Sequence, residues 1–140
     1  MPSLLALLRH SVLVAALLAP STPATLARRV SPASSENGWA TFYTKRRAGR
    51  RTASGERYDP KALVAAHPTL PFGTQVRVTR IETGKSVVVR IVDRGPSRAE
   101  RRRGYVIDLS RAAAESLAFV RRGRTRVQLD VIGSAAGAGY

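Results

Sequence analysis

Between Gly38 and Ile132 the apolar residues come in short alternating runs broken by turns that carry Gly or Pro, and that rhythm leaves few folds open. GWATFY sets Trp39, Thr41 and Tyr43 against Ala40 and Phe42, the period of two expected of a half-buried strand. QVRVTRI and SVVVRIV are separated by Glu82-Thr83-Gly84-Lys85, which reads as a hairpin with a Gly-containing turn. KALVAAH, YVIDLS and TRVQLDVI supply further short strands, and Ser110 stands where it would cap a helix over RAAAESLAF. Many short strands with so little helix predict an all-β chain closed, or nearly closed, into a barrel. The 140 residues suffice for one modest core and not for two.

Charge and cysteine usage narrow the chemistry. The chain holds 24 Lys and Arg against 9 Asp and Glu, a formal net charge of +15. Such a surface favours polyanions, whether nucleic acid, acidic lipid or an anionic wall polymer; an Arg-rich solvated face is the plainer reading. There is no cysteine, which excludes disulfides, thiolate metal sites, cysteine nucleophiles and lipidated cysteine. Residues 1–27 have the layout of a secretory signal peptide: Arg9-His10, the apolar segment SVLVAALLA, then Pro and small residues, with cleavage expected after Ala24 or Ala27. The apolar stretch is shorter than the roughly 20 residues that span a bilayer, so no transmembrane anchor is expected after cleavage. Residues 28–37 then read as a flexible leader, 38–132 as the folded domain and 133–140 as a disordered tail.

Few residue patterns support a reaction. No serine sits in a nucleophile elbow, and no Gly spacing matches a phosphate loop. His10 falls in the signal peptide and His67 stands alone among carboxylates, so no metal site is expected. What remains are polar residues at strand ends and turns: Glu56 and Asp59 in GERYD, His67 closing KALVAAH, Asp93 in VDRGP and Asp108 in VIDLS. Asp93 ends an apolar strand, and Gly95 and Pro96 act as backbone devices that stop it; an Asp next to Gly-Pro also caps turns. Asp108 reads as structural, tying its loop to the helix start.

In order and spacing, GWATFY, RRTASGERYDP, LVAAHPTLPFGTQVRVTR, VVVRIVDRGPS and YVIDLSRAAAESL resemble the core of the rare lipoprotein A (RlpA) family, over about residues 38–132. The resemblance implies a double-psi β-barrel of about six strands with one or two short helices, an architecture shared with expansin domains. It also implies an exported, periplasmic or secreted peptidoglycan lytic transglycosylase. Such an enzyme cleaves MurNAc-GlcNAc bonds in peptide-stripped strands and leaves 1,6-anhydro-MurNAc ends. A non-catalytic, expansin-like wall-binding module is the alternative. Asp93 and His67 fall on the catalytic positions. Glu56, Asp59, Arg94 and Tyr43 are the expected substrate contacts. No cofactor, metal or specific nucleic-acid partner is implied, and a monomer acting on glycan strands is expected.

Such a reaction needs one carboxyl group that protonates the bridging oxygen and then takes the proton of the muramic 6-hydroxyl. No water is activated, so the two-carboxylate requirement of hydrolysis relaxes. Partial burial raises the proton affinity of such an acid and a neighbouring arginine lowers it, so Arg94 is expected to point away from Asp93 or to grip substrate. His67 is read as orienting Asp93 or binding sugar, with a satisfied semi-buried histidine as the competing reading. Trp39 and Tyr43 either stack on sugar or join the core, and Phe42 is expected in the core.

Overall fold

The computed structural model describes residues 35–134; the expected signal peptide, most of the leader and the tail from 135 onward lie outside the described residues. Six strands form: β1 Glu36–Phe42, β2 Val64–Ala66, β3 Gln75–Arg80, β4 Ser86–Asp93, β5 Tyr105–Leu109 and β6 Thr125–Gly133. They close in the order β1-β5-β2-β4-β3-β6. The pairs β1/β5 and β2/β4 run parallel and the others antiparallel. Closure leaves no free sheet edge. No helix among the described residues is long and apolar enough to cross a membrane.

Alternation decides what faces inward. In β3, Val76 and Val78 are fully buried while Gln75 and Arg77 are exposed, and in β5 Ile107 and Leu109 turn inward on either side of Asp108. These residues join Val89, Ile91, Val127, Leu129 and Phe119 in the barrel core. Truncating a buried Ile or Leu there to alanine costs about 2–5 kcal/mol. The β3/β4 hairpin turns where expected, with Gly84 at φ +73° donating to the Arg80 carbonyl at 2.8 Å.

Two short helices flank the barrel. Helix α2, Arg111–Ser116, starts where Ser110 accepts from Ala113 N–H, as the sequence predicts. The buried guanidinium of Arg80 donates to the carbonyls of Leu117 and Ala118 just past its end. Helix α1, Arg98–Arg102, opens on a reciprocal Ser97/Glu100 capping box. The barrel also starts earlier than Gly38: Glu36 and Asn37, read as leader, pair with Leu129 and Gln128 of β6. Their side chains are exposed, so no apolar signal marks them; ladder hydrogen bonds and the contact of Glu36 with His67 draw them in.

Near Asp93 strand β4 loses its alternation, with Ile91, Val92 and Asp93 all buried. Ile91 faces the barrel core, whereas Val92 packs outside it with Tyr43, Tyr58, Val64 and Ala66. The loop between β1 and β2 wraps over this end, docked by Ser54 N–H on the Val92 carbonyl. That second, outer cluster is the platform on which the acids stand.

Candidate active site

Asp93 and Asp108 flank a single residue. Ala66 of β2 pairs with Asp93 of β4 on one side, after a register shift between Ala65 and Ala66, and with Asp108 of β5 on the other. Strands lie about 4.8 Å apart, so the topology brings both acids to the same end of the barrel.

Asp93 is held on every side. Its carboxylate accepts from the Tyr43 hydroxyl at 2.8 Å, from Ala53 N–H at 2.8 Å and from Arg94 N–H at 2.9 Å. Arg47 adds a longer contact at 4.0 Å, and the side chain is 11% exposed. Asp93 therefore does not stand free at a cleft rim as expected; donors from the wrapping loop and its neighbours hold its carboxylate, which borders a small hollow lined by Tyr43, Arg47, Thr52 and Tyr58. Tyr43, expected against substrate, is instead buried, donates to Asp93 and packs edge-on against Tyr58 at 4.7 Å. Burial foremost, then the bond to Asp93, pushes the Tyr43 phenol well up, so it keeps its proton and remains a donor.

Asp108 is the opposite case. It lines an open groove of about 380 Å³ together with Arg47, Pro68, Arg94, Gly95 and Arg101. Among the described residues its buried Oδ1 has no hydrogen-bond partner. Burial foremost, then the charge of Glu100, raises its pKa to about 7, with Asp93 adding to the rise and Arg47 opposing it. Glu100 itself is held below its usual range by its hydrogen bonds with Ser97, so its negative charge stands beside Asp108 at neutral pH. A Cβ on Gly95 would lie 2.8 Å from Asp108 Oδ2, and Gly95 sits at φ +149°. The glycine of DRGP thus makes room for a carboxyl group on another strand. The sequence reading of Asp108 as a structural tie missed this; the available signal was an acid in YVIDL between inward-facing Ile107 and Leu109.

Arg94 lines the groove, and His67 lies just before Pro68, which also lines it. The His67 ring is buried; its Nδ1 accepts from Thr69 and Leu70 N–H at 3.2 and 3.1 Å, and its Nε2 lies 2.9 Å from Glu36 Oε2. These contacts fix the neutral tautomer with the proton on Nε2. The link to Asp93 is through backbone, His67 N–H to the Asp93 carbonyl at 3.2 Å, so the ring does not orient the carboxylate. Arg94 turns away from the Asp93 carboxylate, as one of the two readings has it. It donates to the Leu70 carbonyl at 2.9 Å and covers the Phe72 ring at 3.9 Å.

Glu56 and Asp59 are not brought to this groove. They border a separate hollow; Glu56 is engaged by Arg90 at 2.9 Å, and Asp59 accepts from Lys61 N–H at 2.8 Å, which closes its own turn. A larger hollow of about 410 Å³ is lined by Trp39, Glu82, Arg122 and Arg124. Its carboxylate, Glu82, is tied to Arg80 and Arg122 and held below its usual range, so that hollow carries no free acid.

A closed six-stranded barrel with two parallel pairs and both acids at one end is a double-psi β-barrel. The Streptomyces papain inhibitor is similar, with a TM-score of 0.55 and 28% identity over 71% of this chain and 96% of that one. An expansin of Clavibacter michiganensis is similar in fold, with a TM-score of 0.54 at 19% identity over 74% and 53%. Residues 35–129 match the family described as lytic transglycolase, and the chain belongs to this RlpA-like family. A Nostoc protein named probable endolytic peptidoglycan transglycosylase RlpA is 52% identical over 69% of this chain and 25% of its own length. The endolytic peptidoglycan transglycosylase RlpA of Neisseria meningitidis serogroup A is 47% identical over 69% and 39%. The chain therefore spans well under half the length of these relatives.

Proposed function

We propose that this domain is an endolytic peptidoglycan lytic transglycosylase that acts outside the cytoplasm on MurNAc-GlcNAc bonds of peptide-stripped strands, closing each cut end as 1,6-anhydro-MurNAc. The observation that carries the reading is the pair of acids across Ala66 beside an arginine-lined groove, in a chain of the lytic transglycolase family. One of these acids is tied by donors and the other unpaired, the separation of environments that divides labour between two carboxyl groups.

The roles follow from the contacts. Asp93 accepts from Ala53 N–H and the Tyr43 hydroxyl and so anchors the wrapping loop. His67 is a positioning residue for residues 68–70, and Arg94 rests on the Leu70 carbonyl at the end of that segment. Arg47, Arg94 and Arg101 give the groove a positive wall suited to the lactyl carboxylates of stripped muramic acid. Purified domain incubated with peptide-stripped sacculi is expected to release products carrying 1,6-anhydro ends, read by mass spectrometry. Binding without release would leave a wall-binding module in its place.

A further inference from the structure

We infer that the arginine-framed hollow at Trp39 is a second binding surface for the glycan strand, one that grips the lactyl carboxylates of a stretch lying beyond the groove. The inference takes its ligand from the transglycosylase reading above and adds a surface that shares no lining residue with the groove.

Alternation in neighbouring strands builds this surface. Gly38 and Ala40 of β1 are buried, so Trp39 between them faces outward and is half-buried. Thr125 and Val127 of β6 are buried, so Arg126 faces outward as well. In the sheet Trp39 stands between Arg126 of β6 and Tyr105 of β5, and directly opposed side chains start about 5 Å apart. The guanidinium groups of Arg124 and Arg126 lie 4.6 and 5.3 Å from the centre of the indole ring. Arg124 also donates to the Tyr105 hydroxyl at 3.2 Å. Stacking engages the flat face of a guanidinium and leaves its N–H edge for a carboxylate.

The charge of the hollow is unbalanced. Arg122, Arg124 and Arg126 line it with a single carboxylate, Glu82, which Arg80 and Arg122 already engage. Among the described residues no carboxylate forms an ion pair with Arg124 or Arg126. Like charges held this close repel, and a bound polyanion relieves the repulsion.

A basic path joins the hollow to the groove. Arg101 lines the groove, Arg103 lies 6.0 Å from the centre of the Tyr105 ring, and Trp39 N–H donates to the Gly104 carbonyl at 2.8 Å. No acid interrupts residues 101–105. Four residues and one strand spacing separate Arg101 from Trp39, at most about 20 Å along the surface, so one strand can cover both. A stripped strand carries a carboxylate on each muramic acid, and arginine forks at both ends of the path match that repeat. The groove carries the same positive lining, which favours one polymer along the whole path.

The test titrates peptide-stripped glycan strands into wild type and into the double variant Arg124→Gln, Arg126→Gln, with thermal melts of both and product release from wild type in parallel. Trp39 is the one tryptophan of the chain, so its fluorescence reads the hollow directly. Saturating strands are expected to shield Trp39 of wild type from acrylamide quenching. The double variant is expected to bind about tenfold more weakly, the loss of two exposed charge contacts. Binding by the folded variant within about twofold of wild type, far short of that loss, would overturn the surface. So would unchanged quenching at saturation, a result that needs no variant to fold. A DNA duplex that binds wild type more tightly than the strands, and weakens by the same factor in the double variant, would overturn the glycan as its occupant. Shielding of Trp39 without 1,6-anhydro release would overturn the transglycosylase reading and leave the surface standing; release without shielding would do the reverse. Wild type that neither binds nor cuts strands would overturn both.

Discussion

The pocket around Asp93 and the groove around Asp108 lie on either side of one alanine, yet they solve opposite problems. On the β4 side the wrapping loop brings Ala53 N–H and the Tyr43 hydroxyl to the carboxylate, and Arg94 N–H completes the set. On the β5 side, among the described residues, no donor reaches the buried Oδ1 of Asp108, and burial with a neighbouring Glu100 raises its proton affinity. The difference teaches that two acids flanking one alanine can be given opposite surroundings by the strands that carry them, and that the glycine of DRGP makes room for the second.

The hardest blow to this contrast is Asp93→Asn. It places an amide against N–H donors and loosens the wrapping loop, so a stability loss of about 1–3 kcal/mol is expected in urea melts. It also removes a negative charge that raises the proton affinity of Asp108, so product release should fall and the Asp108 midpoint should move to lower pH. A midpoint that stays in place would show the two sites to be uncoupled.

Gly95→Ala sharpens the contrast next. The new Cβ would meet Asp108 Oδ2 at 2.8 Å in a backbone conformation, φ +149°, that L side chains rarely adopt. A destabilisation of about 1–3 kcal/mol is expected, with a larger fractional loss of release than of glycan binding in pull-downs. Equal losses of both would argue that the glycine serves the backbone only.

The pH dependence of stability separates the acids without any substrate. Folded Asp108 binds its proton more tightly than the unfolded chain does, with a pKa of about 7 against 3.8. Its contribution is therefore complete below about pH 4 and lost as pH rises through about 7. Asp108→Asn should raise the melting temperature at pH 8 by on the order of 5 °C and leave it nearly unchanged at pH 4. An equal shift at both pH values would assign the effect to packing.

Glu56→Gln marks the lower end. Its partner Arg90 is about half exposed, as Glu56 is, and such surface pairs contribute about 0–1 kcal/mol. Release should stay at the wild-type level; a strong loss would return Glu56 to the substrate path.

The barrel was largely legible in the residues because alternation is local: Val76, Val78, Val89 and Ile91 state their own inward face. The Ser110 cap was legible for the same reason. The site was not, because its decisive contacts join distant segments. Tyr43 reaches Asp93 from 50 residues away and Ala53 from 40, and Ala66 sets the two acids side by side through a parallel and an antiparallel ladder at once. Strand β1 was read two residues short because Glu36 and Asn37 carry no apolar signal. Glu56 and Asp59 look like cleft acids in a Gly-containing turn, but a side-chain ion pair and a local turn bond account for them.

The most direct measurement of the central claim is a carbon-13 NMR titration of aspartate carboxyl groups in the wild-type protein, with Asp108→Asn used to assign the resonance. The account predicts a midpoint for Asp108 near 7; a midpoint in the ordinary aspartate range, about 4, would contradict it.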